Sequence, residues 1–136
     1  MTDVVTQAMW PTGLPQVMNL GHLLTQTARK YPELPGFIRD NDSRSWAELD
    51  ARADAWAHAL ARRGVRSGDR VLVQLQNGLP LFELAFAVWR VGAIWVPVNC
   101  RLSPPEVAYI AASSGAVLMF TQAALAAHAE DRKSVV

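Results

Sequence analysis

Residues 71–120 read VLVQLQNGLPLFELAFAVWRVGAIWVPVNCRLSPPEVAYIAASSGAVLMF. The apolar run Val71-Leu72-Val73-Gln74-Leu75 is short enough for a strand, and Asn77-Gly78 breaks it. Pro80 is tolerated in the first turn of a helix that runs to about Val91, where Gly92 ends it. This helix is apolar nearly all round, with only Glu83 and Arg90 charged, so burial on more than one side is expected. Ala93 to Val98 forms a second strand, whose continuous apolar character suits a sheet covered on both faces. Ser103-Pro104-Pro105-Glu106 is a capping box with proline at the first helical position. It opens a helix with Val107, Ile110 and Ala111 on one side, and Gly115 closes it. Ala116 to Phe120 is the third strand, after which Thr121 is placed to cap an alanine-rich helix. Strand, helix, strand, helix, strand with short loops predicts an α/β fold, a partial parallel sheet with right-handed βαβαβ crossovers.

Working outward, Gly64 to Arg70 is a turn-rich connector into the first of these strands. Before it, Ser45 and Glu48 form another capping box, heading a helix with Trp46, Leu49, Ala53, Trp56 and Leu60 on one face. Its polar face carries Asp50, Arg52, Asp54, His58 and Arg62. Gly36 to Ser45 reads as a short hairpin turning at Asn41-Asp42. Asn19 is a cap for a first helix with a stripe of Leu20, Leu23, Leu24, Thr27 and Tyr31, stopped by Pro32. Residues 1–18 hold Pro11, Gly13 and Pro15 without periodicity and read as a loose lead-in. They carry an acid and no base before the apolar positions, which is not a signal-peptide pattern.

The 136 residues, 51% hydrophobic and 18% charged, have the composition of a globular domain and exclude a disordered chain. Thirteen basic against twelve acidic residues leave no footprint for nucleic acid. The tryptophans are spaced as core, not as a stacking platform. No apolar run is long enough to span a bilayer. The lone Cys100 has no internal disulfide partner, which suits a reducing cytoplasm.

Catalytic motifs are scarce. The eight glycines form neither G-x-G-x-x-G nor a Walker-type loop. His22, His58 and His128 lack metal-ligand spacing, and His58 reads as solvated surface. No signature puts a base beside Cys100, which reads as an ordinary thiol. Asp69-Arg70 reads as a surface ion pair in a turn. Gln76, Asn77, Asn99, Arg101 and Thr121 fall just beyond the three strand ends, the edge at which open parallel sheets bind ligands.

From about Asn19 to Thr121 the chain resembles the N-terminal region of the acyl-adenylate-forming enzymes. These comprise the AMP-forming acyl-CoA synthetases and their aryl-CoA ligase, luciferase and peptide-synthetase adenylation relatives. The resemblance rests on Ser45-Trp46-Ala47-Glu48-Leu49, on Gly64 to Val71, and on the run from Gly78 to Thr121, in order and spacing. Pro97-Val98-Asn99-Cys100-Arg101-Leu102 is similar to the acyl-CoA synthetase branch. The resemblance implies a fatty-acid substrate, ATP, Mg²⁺ and coenzyme A. A carboxylate attacks the α-phosphate to give an acyl-adenylate and pyrophosphate, and a thiol then displaces AMP. It also implies that the chemistry lies elsewhere. No Ser/Thr/Gly-rich loop ending in Pro-Lys-Gly is present, no aromatic-Gly-x-Thr-Glu segment, and no residue matches a catalytic position, so none is assigned as catalytic, cofactor-binding or metal-binding.

The expected organisation is therefore a lead-in at 1–18, an incomplete AMP-dependent synthetase/ligase domain at 19–130, and a non-native tail at 131–136. Asp131-Arg132-Lys133-Ser134-Val135-Val136 matches in order the translation of a common sequencing adapter. Two other readings stand beside this one: a stand-alone α/β binding or regulatory module without catalysis, and an aryl-acid or amino-acid adenylating enzyme.

Overall fold

The computed structural model describes residues 19–128, so the lead-in and the terminal six residues lie outside the described residues. The first helix, α1, is Gly21–Lys30. The side-chain oxygen of Asn19 accepts the Gly21 N–H at 2.7 Å, as a cap should. The buried stripe differs from the expected one: Gly21, Leu24 and Ala28 face inward, while Leu20, Leu23 and Tyr31 are exposed. The reason is close approach. A Cβ on Gly21 would stand 2.6 Å from the Arg90 side chain, so the helix turns its small residues to its neighbour.

The hairpin pairs β1 (Pro35–Arg39) with β2 (Asp42–Ser45), antiparallel, with Arg39 opposite Asp42. Its turn is therefore Asp40-Asn41, one residue earlier than expected. Asp40 takes the left-handed conformation at φ +52°, which Asp tolerates better than most residues. Asp42 instead pairs with Arg44 at 2.5 Å. Gly36 is required by packing, since a Cβ there would lie 2.5 Å from the Trp46 ring. Helix α2 (Trp46–Arg62) begins with the expected capping box: Ser45 accepts the Glu48 N–H at 3.2 Å, and Glu48 accepts the Ser45 N–H at 2.7 Å. Leu49, Ala53, Ala57 and Leu60 are its buried positions.

The remaining elements are β3 (Arg70–Gln74), α3 (Leu79–Arg90), β4 (Ile94–Pro97), α4 (Pro104–Ser114) and β5 (Leu118–Thr121). All three strands run parallel in the order β4-β3-β5, as the alternating pattern predicts. Gly115 closes α4 in the left-handed region at φ +64°. Thr121 is the last residue of β5, not a helix cap, and the alanine-rich segment Ala123–His128 forms a 3₁₀ helix. The Leu125 N–H reaches Gln122 O at 2.8 Å, the shorter bond that tightens such a turn.

Side chains alternate across β3, so its two faces serve two cores. Val71 and Val73 pack with Leu84, Ala87 and Val88 of α3 and Leu60 of α2. Leu72 packs on the other side with Val98, Val107 and Ala111. A third cluster, around Leu24, Leu49 and Ala53, joins α1 to α2 and is flanked by Phe37, Trp46, Phe82 and Phe86. Only β3 is covered as fully as expected: in β4, Ile94 and Pro97 are exposed, because β4 pairs with β3 alone among the described residues. Asp69 and Arg70 are not partners. Asp69 accepts the Arg66 N–H at 2.7 Å, while Arg70 donates to the carbonyls of Gly68, Ser114 and Gly115.

Candidate functional site

The connection leaving β3 passes to the α3 face, and the connection leaving β4 passes to the α4 face. Adjacent loops that part in this way leave a crevice at the C-terminal edge of the sheet. A cleft of about 500 Å³ lies there, with Gln76 and Asn77 on one side and Asn99, Cys100 and Arg101 on the other. Val73, Leu75, Leu81, Pro97 and Val98 supply its apolar surface.

Four of the five residues expected at this edge are brought together: Gln76, Asn77, Asn99 and Arg101. Thr121 does not line the cleft, because β5 lies beyond β3 from β4 and keeps Thr121 in register with Gln74. Its hydroxyl is buried without a hydrogen-bond partner. Cys100, read from the sequence as an ordinary thiol, is half-buried and lines the cleft.

The loops are fixed from behind. Asn99 Oδ1 accepts the Arg101 N–H at 2.9 Å, an Asx-type bond that curls the chain after β4. Gln74, fully buried, donates from Nε2 to the Asn99 carbonyl at 3.4 Å. Arg39 of the hairpin donates to the Asn77 carbonyl at 2.8 Å, and the Gln76 N–H donates to Gln122 Oε1 at 3.3 Å. Sequence reasoning passed over Gln74 and Arg39. The signal for Gln74 was there, a lone amide inside an otherwise apolar strand. Nothing in the local sequence ties Arg39 to a loop that follows it by more than a helix.

Among the described residues lining the cleft, Arg101 alone is charged. His58 is exposed on α2, with Nδ1 2.9 Å from its own helix's Asp54 carbonyl. Among the described residues no group of three His, Cys, Asp or Glu side chains is placed to hold a metal ion. The charged groups of the helices have structural work. Glu83, 1% exposed, pairs with Arg52 and accepts from Trp56 Nε1 at 3.3 Å. That hydrogen bond and charge hold the Arg52 pKa above its usual value. Arg90 pairs with Asp50, reaches Asp54 at 2.6 Å, and donates to Thr25 at 3.0 Å, tying α1, α2 and α3. Sequence reasoning put Asp50, Arg52 and Asp54 on a solvated face. The signal against it was α3 itself, whose two charges share one face and need complements. No helix among the described residues is long and apolar enough to cross a membrane.

The profile of the family described as AMP-binding enzyme matches residues 24–136, starting later than the resemblance noted above and running past Thr121. The long-chain-fatty-acid–CoA ligase FadD13 of Mycobacterium tuberculosis is 34% identical over 99 residues, 71% of this chain and 20% of that protein. The fatty acid–[acyl-carrier-protein] ligase ScoC of Streptomyces coeruleorubidus is 31% identical over 108 residues, 79% of this chain and 21% of that protein. The solved structure of a Mycobacterium tuberculosis fatty acyl CoA synthetase superposes with a TM-score of 0.79 at 30% identity, covering 83% of this chain and 23% of that one. The chain thus spans about a fifth of the length of the curated relatives it matches. Sequence, topology and superposition agree that the chain belongs to the AMP-binding enzyme family and corresponds to the N-terminal region of its domain.

Proposed function

We propose that these residues are the N-terminal scaffold of an AMP-forming acyl-CoA synthetase acting on a fatty acid. The whole enzyme would convert carboxylate, ATP and coenzyme A into acyl-CoA, AMP and pyrophosphate. The observation that carries this reading is the 34% identity to a long-chain-fatty-acid–CoA ligase over 71% of the chain. The chemical logic is that a carboxylate is a poor electrophile until its oxygen is bonded to AMP, after which a thiol can displace it. A second reading keeps the adenylation and changes the acceptor to the thiol of an acyl carrier protein; its support is the similarity to ScoC.

In this reading the described residues position; they do not react. The parallel sheet and its two helix layers give later segments of the enzyme a rigid platform, and the 136 residues alone are inactive. A cytoplasmic setting belongs to the same proposal, its support being the ATP that the reaction consumes. Carboxylate-dependent ATP–pyrophosphate exchange is the test. The 136-residue chain is expected to give none, and measurable exchange by it would overturn the scaffold assignment. Resequencing the source DNA past Glu130 is expected to show a continuing frame with a phosphate-loop motif; a stop codon directly after Val136 would favour the stand-alone module.

A further inference from the structure

We propose that the outer side of α1 is a docking surface and that its occupant is the segment before it: residues 9–18 fold back along the helix and seat their apolar side chains there. The segment lies outside the family match, which begins at residue 24, so its seat is independent of the reaction proposed above. Leu20, Leu23 and Tyr31, with Leu34 just beyond, are each between 43% and 53% exposed. Positions 20, 23, 27 and 31 recur at helical spacing, so they share one side of α1. Thr27 donates its hydroxyl to the Leu23 carbonyl at 2.8 Å, which ties that polar group to the helix itself. The result is an apolar stripe, not a scatter of single exposed side chains.

α1 is not free to roll and hide the stripe. Gly21, Leu24 and Ala28 fill its buried side, and a Cβ on Gly21 would stand 2.6 Å from the Arg90 side chain. Thr25 donates to Asp50 at 2.9 Å and accepts from Arg90 at 3.0 Å, which fixes the rotation of the helix from α2 and α3.

The segment leading to Asn19 is already attached to the end of the stripe, and its composition matches. Met9, Trp10, Leu14, Val17 and Met18 supply large apolar side chains. Pro11 and Pro15 oppose a helix and favour an extended path at low ordering cost. From Trp10 to Met18 an extended chain covers about 26 Å, and the stripe from Leu20 to Tyr31 is about 17 Å long, so the segment spans it with slack for a turn. The charges are complementary as well. The only charged side chain in residues 1–18 is Asp3, while α1 has no acid and carries Arg29 and Lys30 in its last turn, the end toward which the folded-back segment runs. A tethered segment meets its seat at an effective concentration of about millimolar, without the translational and rotational cost that a second copy would meet.

The test is paramagnetic broadening in the full ¹⁵N-labelled chain, with Cys100→Ser and a nitroxide attached at Thr12→Cys. The amides of Leu23, Thr27 and Tyr31 are expected to broaden, and those of Val107 and Ala111 on α4 to stay sharp. Leu23→Glu, an exposed change, is expected to lower the ratio of docked to free segment about tenfold or more, the effect of withdrawing one leucine from an apolar contact. Leu23→Met keeps an apolar side chain there and should retain most of the broadening. His22→Gln, exposed on another side of the helix, should retain all of it. Broadening confined to the residues next to Asn19, broadening spread evenly over the chain, or no response to Leu23→Glu would overturn the proposal. So would an equal loss in His22→Gln. Broadening of unmodified ¹⁵N chain by added unlabelled chain carrying the nitroxide would also overturn it, giving the stripe to a second copy. None of those outcomes bears on pyrophosphate exchange, so failure here and failure of the proposed reaction remain separate.

Discussion

On one face of β3, Val71 and Val73 meet the buried Leu84 and Val88 of α3, and Glu83 and Arg90 carry that helix onto α2 with directed bonds. On the other face, Leu72 meets Val107 and Ala111 of α4, whose outer side presents Tyr109 to solvent at 73% exposure. The α3 face is closed by the larger buried cluster, and ion pairs from Glu83 and Arg90 fasten α3 to α2. The α4 face has fewer fully buried side chains, and its polar bonds sit at the ends of the helix: Glu106 with Ser103 at the start, Arg70 with Ser114 and Gly115 at the finish. Two helices packed on opposite faces of one strand are therefore held by different means.

The comparison breaks most readily at paired truncations. Leu84→Ala should cost about 3–5 kcal/mol, a buried leucine lost from a packed layer. Val107→Ala should cost about 1–2 kcal/mol, fewer methyl groups lost beside a more open helix. Urea unfolding of both variants measures the gap, and equal costs would contradict the distinction between the faces.

Next in size is Arg90→Met, which keeps the side-chain volume and strands Asp50, Asp54 and Thr25. A loss of about 2–4 kcal/mol is expected, since a charge left without its partner costs more than the pair contributed. Repeating the change in an Asp50→Asn background should recover part of that loss. Full additivity of the two changes would show that the network does not act as a unit.

The smallest effect is at α4. Glu106 accepts both the N–H and the hydroxyl of Ser103, at 2.8 and 2.7 Å, and those bonds hold its carboxyl below the ordinary value of 4.5. A carboxyl that ionises more readily when folded adds stability above the unfolded pKa, and that contribution fades as pH falls through the folded one. The protection factor of the Ser103 amide, its exchange relative to an unstructured peptide at the same pH, should therefore fall in acid in the native chain, and Glu106→Gln should flatten the dependence.

Much of this architecture was legible because local signals agreed with one another. The capping boxes at Ser45 and Ser103 set two helix starts, glycine at 64 and 115 marked two ends, and strand length with short loops gave parallel order. The edge cleft followed from the same pattern, which is why Gln76, Asn77, Asn99 and Arg101 were within reach. What escaped was decided by tertiary partners. The inward face of α1 was set by how near Gly21 comes to Arg90, and the duties of Asp50, Arg52 and Asp54 by a helix further along the chain. Thr121 was misjudged by a single strand residue, enough to move it from the loop into the ladder.

The central place of β3 has a consequence in time. Its pairing with β4 is available as soon as Pro97 is made, but its other edge waits for Leu118 to Thr121. At about 5–20 residues per second of synthesis, that edge stays open for seconds on the ribosome. During that interval Arg70 to Gln74, the most completely buried strand of the folded chain, offers its unpaired N–H and C=O groups to any strand nearby. In the folded chain that same strand is tied to the approach of β5 by Arg70, which donates to the carbonyls of Ser114 and Gly115 at 2.9 Å each.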